Sequence, residues 1–217
     1  MQITWHGHSC FTIKNGTGTV VTDPYDPTTL GLKLPSLSAN IVTISHSHPG
    51  HSNSKAVEGK PLVFDTPGEY EASEIAVIAV PSWHNAKDED DRGANIIFSF
   101  SVEDINVCHL GDLGHVLTAE QNDQLGDVDV LMVPVGGIST LEIKKTKELI
   151  EKISPGIVIP MHYKIPGLKY DLGTLDDFLK EMGMPAQEKQ TILKIEKKDL
   201  PKEDEDFLII PMEPVLA

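Results

Sequence analysis

Short runs in which apolar and polar residues alternate fill the first half of the chain, and a turn signal bounds each of them. Such runs, rich in β-branched and aromatic residues, read as strands. They cover Gln2–Trp5, Cys10–Lys14, Thr19–Thr22, Ile41–Ser45, Leu62–Phe64, Ile75–Val80, Ile96–Val102 and Ile105–His109. Turns fall at Lys14-Asn15-Gly16, Asp23-Pro24 and Thr66-Pro67-Gly68. The period then changes. Ile143–Ile153 places Ile143, Leu149, Ile150 and Ile153 on one helical face, and Thr174–Met182 does the same with Leu175, Phe178, Leu179 and Met182. Thr118–Leu125 opens on Thr118-Ala119-Glu120-Gln121, the pattern of a capping box. Asp127–Val133 and Gly156–Ile159 read as buried strands, and Thr191–Ile195 and Phe207–Ile210 return to strand. Many strands with a few interspersed helices, no fixed-period repeat and no linker predict one α/β domain over 1–217, with layered sheets covered by helices.

Composition narrows the partners. The chain has 217 residues, 40% hydrophobic and 24% charged, which is ordinary for a soluble globular protein. A net charge of −15 argues against broad attraction to nucleic acid, whose backbone rewards Lys and Arg clusters. Much of the excess lies in Asp88-Glu89-Asp90-Asp91 and Glu203-Asp204-Glu205-Asp206, which read as solvated loops. The N-terminal residues lack a basic n-region followed by an apolar h-region, and no run approaches the roughly 18 apolar residues of a spanning helix. Cys10 and Cys108 sit in apolar strand-like runs and are expected as buried free thiols. Together these predict a cytoplasmic protein acting on a small molecule, with no membrane and no nucleic acid; a homo-oligomer stays open.

The chemistry is concentrated at strand ends. Ile44-Ser45-His46-Ser47-His48-Pro49-Gly50-His51 follows an apolar strand with three imidazoles, and neutral imidazole is the commonest metal ligand among side chains. His46 and His48 share a face of extended chain, and the Pro49-Gly50 break lets His51 approach from the next turn. His84, Asp112 and His162 each follow a further apolar strand. Residues at successive strand ends converge on one edge of a sheet, where sites of α/β proteins gather. Phosphate-binding glycine patterns are absent, so a nucleotide cofactor has no local support. Of the other histidines, His109 within its apolar strand reads as a satisfied core residue, and His6 as either a wall of the site or a structural group. Tyr163 reads as a packing residue, and Trp5 and Trp83 as core or pocket walls.

In their joint order, Thr22-Asp23-Pro24, His46-Ser47-His48-Pro49-Gly50-His51, His84, Gly111-Asp112 and Met161-His162-Tyr163 resemble the motifs of the metallo-β-lactamase fold superfamily, over about residues 2–165. The opening Ile3-Thr4-Trp5-His6-Gly7-His8-Ser9-Cys10-Phe11 looks like the branch that contains ascorbate 6-phosphate lactonase. The resemblance implies a four-layer αββα sandwich holding one or two metals, usually zinc, with Mn and Fe as alternatives. His46, His48 and His84 would bind the first ion. His51, Asp112 and His162 would serve the second, with Asp112 bridging and Asp23 orienting ligands without binding metal. The implied activity is a metal-dependent hydrolase that turns an activated water on an ester, lactone or phosphoester.

One departure matters. Gly50 stands where the family's HxHxDH motif has its Asp, so the second ion lacks a negative ligand. Either the site holds one metal, or another residue substitutes, or the site has decayed. His8 and His115 are the candidates for substitution, and equally for donating a proton to the leaving group. Whether position 50 accepts a side chain depends on whether the Pro49-Gly50 turn needs φ > 0. A site with one carboxylate fewer is more positive and favours an anionic substrate. The rivals are a phosphodiesterase or nuclease of the same fold and a non-catalytic metal-binding regulator.

Overall fold

The computed structural model describes residues 1–84, 93–185, 188–202 and 205–217. The acidic run at 88–91 and the first half of the run at 203–206 lie outside the described residues; Glu205 and Asp206 are exposed. In chain order the strands are β1 (Gln2–Trp5), β2 (Phe11–Lys14), β3 (Thr19–Thr22), β4 (Leu37–Ser38), β5 (Ile41–Thr43), β6 (Val57–Glu58), β7 (Leu62–Phe64) and β8 (Gly68–Ala72). Then come β9 (Ile75–Trp83), β10 (Ala94–Val102), β11 (Ile105–His109), β12 (Val130–Pro134), β13 (Ile157–Met161), β14 (Ile192–Lys194) and β15 (Leu208–Ile209). The helices are α1 (Pro27–Leu30), α2 (Ala119–Leu125), α3 (Ile143–Ile153) and α4 (Leu175–Met182).

These strands form two mixed sheets, β14-β1-β2-β3-β5-β7 and β15-β13-β12-β11-β10-β9-β8, with β4 and β6 as a small separate pair. One core cluster joins them, drawing Ile3, Phe11 and Val21 from the first sheet and Phe98, Val107, Leu131 and Ile159 from the second. Flanking helices complete the α/β architecture: α2 packs on β9, and α3 on α4. β12 and β13 are buried along their whole length, as parallel strands covered on both faces must be.

Local signals set the element ends. Thr118 and Thr174 cap α2 and α4 with reciprocal capping boxes, and Gly183 closes α4 in the left-handed conformation. β9 runs three residues beyond the predicted strand, through Pro81 to Trp83. Proline is tolerated there because β8 stops at Gly68, opposite Ala79, so no neighbour needs the missing N–H on that side. The pattern did not predict α1, β4, β6 or β8. β8 reads Gly-Glu-Tyr-Glu-Ala on an exposed sheet edge, so it buries no face that would leave an apolar period.

Strand direction is what builds the site. β1, β3 and β5 run the same way, since β1 and β3 are both antiparallel to β2, and β3 and β5 are parallel. In the other sheet β9, β11, β12 and β13 share a direction by the same reasoning through β10. The C-terminal ends of all these strands therefore open on one edge of each sheet. Cross-sheet bonds bring the two edges together: Ile96 N to Ser45 O at 2.8 Å and His162 N to His8 O at 3.1 Å.

Candidate metal centre

Six of the strands pointing to that edge deliver ligand-type residues past their ends: His8 after β1, Asp23 after β3, His46, His48 and His51 after β5, His84 after β9, Asp112 after β11 and His162 after β13. All but His48 are buried. The centre of the arrangement is Asp112 Oδ2. It lies 3.1 Å from His162 Nε2, 3.3 Å from both His51 Nε2 and His84 Nε2, and 3.9 Å from His46 Nε2. Three groups have ligand atoms within 4.8 Å of one another: His46, His48 and His84; His46, His51 and Asp112; and His8, His51 and His162.

Asp23 sets how two of these rings present their nitrogens. His51 Nδ1 donates to Asp23 Oδ2 at 2.9 Å, which turns Nε2 toward Asp112. Ser45 donates its backbone N–H to Asp23 Oδ1 at 2.8 Å and its hydroxyl to Oδ2 at 2.5 Å. The Ser45 oxygen then accepts from His46 Nδ1 at 2.9 Å, so the Nε2 of His46 also turns inward with its electron pair free. Burial would raise the Asp23 carboxyl, but the His51 hydrogen bond and the nearby His109, His51 and His46 rings hold it below the usual carboxylate range.

Ligand-type atoms thus crowd one buried centre. Burial pushes His46 down to about 2 and His8 well below the ordinary imidazole range, with neighbouring imidazoles adding to both. For His51, burial is outweighed by Asp112 and Asp23 on its two sides, which push it up to about 10. Asp112 stays well below the carboxylate range despite complete burial, because His162 and His51 flank it. Of nine buried side-chain atoms without a partner among the described residues, six belong here: His8 Nδ1, His46 Nε2, both nitrogens of His84, Asp112 Oδ1 and His162 Nδ1. A buried polar group left unmatched costs about 1–3 kcal/mol. A cluster of such groups is a site for a cation, and imidazole with carboxylate is a donor set that suits zinc and its neighbours.

Two supporting residues carry no sequence signal of their own. Ser45 is one. The other is Asn95, a buried amide in the apolar strand β10, whose Oδ1 accepts from Asp112 N at 3.0 Å while its Nδ2 donates to Leu110 O at 3.0 Å and Ser82 Oγ at 2.7 Å. Gly111 sits against this amide at φ 58°, where a Cβ would overlap Asn95 Oδ1 and Ser45 Cβ, so only glycine lets the Asp112 turn approach.

The two substitution candidates part company. His8 Nε2 is 3.1 Å from His51 Nε2, within the cluster. His115 is elsewhere: its Nε2 accepts from Trp83 N at 3.2 Å and its Nδ1 lies 2.9 Å from Val116 O, in a separate groove with Lys145 and the exposed Trp83. Gly50 has no positive φ, so its backbone does not require glycine. His6 is held by Thr12 Oγ1 and Val215 O, His109 by Ser9 O and Gly111 N, and Tyr163 packs on Trp5.

The donors open into a cleft of 540 Å³ lined also by Gly50, Ser139, Lys169, Tyr170, Asp171 and Leu172. The segment carrying Lys169 and Tyr170 escaped the sequence reading because it has no regular period. Lys164 holds it by donating to Leu168 O and Tyr170 O, and Lys169 by donating to Thr28 O. A larger groove of 1220 Å³ lies between Asn122, Asp127, Lys197 and Phe207; Lys197 pairs there with Asp129 at 3.0 Å, and among the described residues no metal-type donor group converges in it.

Comparison with known proteins bears on this geometry. Residues 2–162 match the family described as beta-lactamase superfamily domain. A UPF0173 metal-dependent hydrolase of Archaeoglobus fulgidus is 28% identical over 195 residues, 75% of this chain and 83% of that protein. A Thermotoga maritima crystal structure, assigned as a Zn-dependent hydrolase of the metallo-beta-lactamase superfamily, is 38% identical with a TM-score of 0.77, covering 98% of this chain and 99% of that one. The metallo hydrolase Igni18 of Ignicoccus hospitalis shares the fold at a TM-score of 0.64 and 17% identity, over 90% of this chain and 99% of its own.

Proposed function

We propose, from the premise that this chain belongs to the beta-lactamase superfamily, that it is a zinc-dependent hydrolase of a small anionic ester, lactone or phosphoester. The coarser statement, a metal-dependent hydrolase of the metallo-β-lactamase superfamily with a His and Asp cluster able to hold a metal, is its foundation. The observation that carries the finer reading is the convergence of four imidazole Nε2 atoms on one buried carboxylate oxygen, Asp112 Oδ2.

In this reading His46, His48 and His84 would hold one ion, and His51, Asp112 and His162 a second. Zinc bound there would supply Lewis-acid polarisation and lower the pKa of water toward about 7. The chain does the rest. Asp112 lines the cleft with Oδ1 unpartnered, which makes it the group that orients the attacking water. Asp23 and Ser45 keep the His51 and His46 rings in the ligating tautomer. The cleft's 540 Å³ is within the range of about 300–1,000 Å³ usual for small-molecule sites. Asp112 is the one carboxylate in the three converging ligand groups, and Asp171 lines the cleft as an exposed second one, so a site loaded with two divalent ions would stay positive and favour an anion. Lactones belong in the test because the N-terminal run resembles the lactonase branch. A cytosolic location is part of the same reading, since Cys10 and Cys108 are buried free thiols. Among the described residues no helix is long and apolar enough to cross a membrane.

The test is elemental analysis of protein purified without chelator, followed by a panel of anionic lactones, thioesters and phosphodiesters before and after chelation. Turnover that is lost with the metal and returns with zinc is the expected result. Full metal content with no turnover on any of the three classes would favour a binding protein instead.

A further inference from the structure

We propose that His8 is a metal ligand, completing the second ion's site with His51, His162 and Asp112, in the space left by the absent side chain of Gly50. The inference rests on the metal-dependent reading above and specifies one of its two sites.

The first observation is placement. His8 is fully buried, its Nε2 is 3.1 Å from His51 Nε2, and its ring centroid is 4.1 Å from that of His162. The ligand atoms of these three residues lie within 4.8 Å of one another. The second is ring orientation. His51 Nδ1 is taken up by Asp23 at 2.9 Å, so Nε2 is the atom it turns toward His8 Nε2 and, at 3.3 Å, toward Asp112 Oδ2. Three imidazoles and a carboxylate gathered in this way form a donor set that a divalent cation can hold in place of the protons.

The third observation is Gly50. A Cβ there would stand 3.2 Å from His8 Nε2, tighter than ordinary contact, so the imidazole would have to shift by a few tenths of an ångström. The backbone at Gly50 does not take positive φ, so the ring beside it limits a side chain at that position and the turn does not. A side chain from position 50 and the ring of His8 compete for one place.

The fourth is the backbone of His8 itself. It takes φ 54°, a left-handed conformation that strains a non-glycine residue. Its carbonyl is held there by Trp5 Nε1 at 3.0 Å and His162 N at 3.1 Å. Strain maintained by flanking bonds at a functional cluster is a positioning device. What it positions is an inward-facing ring. His8 does not line the cleft, and the edge of Tyr170 stands 5.8 Å from it. A proton donor to a leaving group must reach substrate, whereas a ligand must reach the ion.

The test is cobalt(II) or zinc titration of the chelator-stripped full chain, read by calorimetry and by visible absorption of the cobalt form, with circular dichroism to confirm folding. His8→Ala should lose one of two ions and keep the one at His46, His48 and His84. Combining His8→Ala with Gly50→Asp should recover the lost ion, because a carboxylate then enters the vacated space. His8→Asn serves as the backbone control, since Asn tolerates positive φ but lacks the reach of imidazole; it should fold and also lose one ion. A folded His8→Ala or His8→Asn that keeps both ions at wild-type affinity overturns the proposal. Unfolding of both single variants would assign His8 to structure and overturn it too. Wild-type protein that binds no ion would instead sink the metal-dependent reading itself.

Discussion

The nine histidines of this chain occupy two kinds of place, and their ring nitrogens show why one set is a site and the other is not. His6, His109 and His115 lie away from the cleft centre, and each has both ring nitrogens bonded to a backbone group or a hydroxyl. In the cluster, His8, His46, His84 and His162 each keep at least one buried nitrogen without a hydrogen-bond partner, His51 turns its Nε2 toward a carboxylate already crowded by imidazoles, and the exposed His48 joins His46 and His84. Histidine used as a hydrogen-bonding strut satisfies itself within the protein. Histidine that is to hold a cation must leave an electron pair unspent, and the fold carries that cost at one edge of two sheets.

The comparison can be broken most severely at its centre. Asp112→Asn removes the charge on which four imidazoles converge while keeping the shape, and turnover should fall by roughly 10²–10⁴-fold. Circular dichroism should show an unchanged fold, because Asn95 still holds the backbone of residue 112. Near-wild-type turnover in a folded variant would remove Asp112 from the chemistry.

A smaller effect should follow from spoiling orientation alone. Ser45→Ala cuts the link from His46 Nδ1 to Asp23 and leaves every ligand in place. Loss of an orienting partner of this kind weakens metal binding by about 10–100-fold. Competition against a chelator would measure it, and unaltered affinity would show that the His46 ring is fixed by packing instead.

The smallest effect should come from the other set. His115→Ala deletes a half-buried ring bonded to Trp83 N and Val116 O. Metal content should not change, and stability should shift by no more than about 0.5 kcal/mol. Loss of an ion in that variant would erase the distinction between the two sets.

Much of this protein is local and was readable along the chain. The alternating runs gave the strands within a few residues, and Thr118 and Thr174 marked helix starts through their own hydroxyls. The ligand-type residues announced themselves by standing directly after apolar strands, and Asp23 likewise. Each of these signals lies within a short stretch of sequence, because periodicity, capping and turn chemistry act over a few residues. Tertiary structure alone decided the rest. Ser45 and Asn95 are ordinary polar residues until chain-distant partners, Asp23 and Asp112, are folded against them. Lys169 and Tyr170 reach the cleft from a segment without a period. His8 and His115 were equivalent as letters, and strand direction separated them: β1 ends at the edge where β13 delivers His162, while His115 turns back onto Trp83. The reason is physical. Which electron pairs meet depends on the relative direction and register of strands remote in sequence, and no local pattern encodes that.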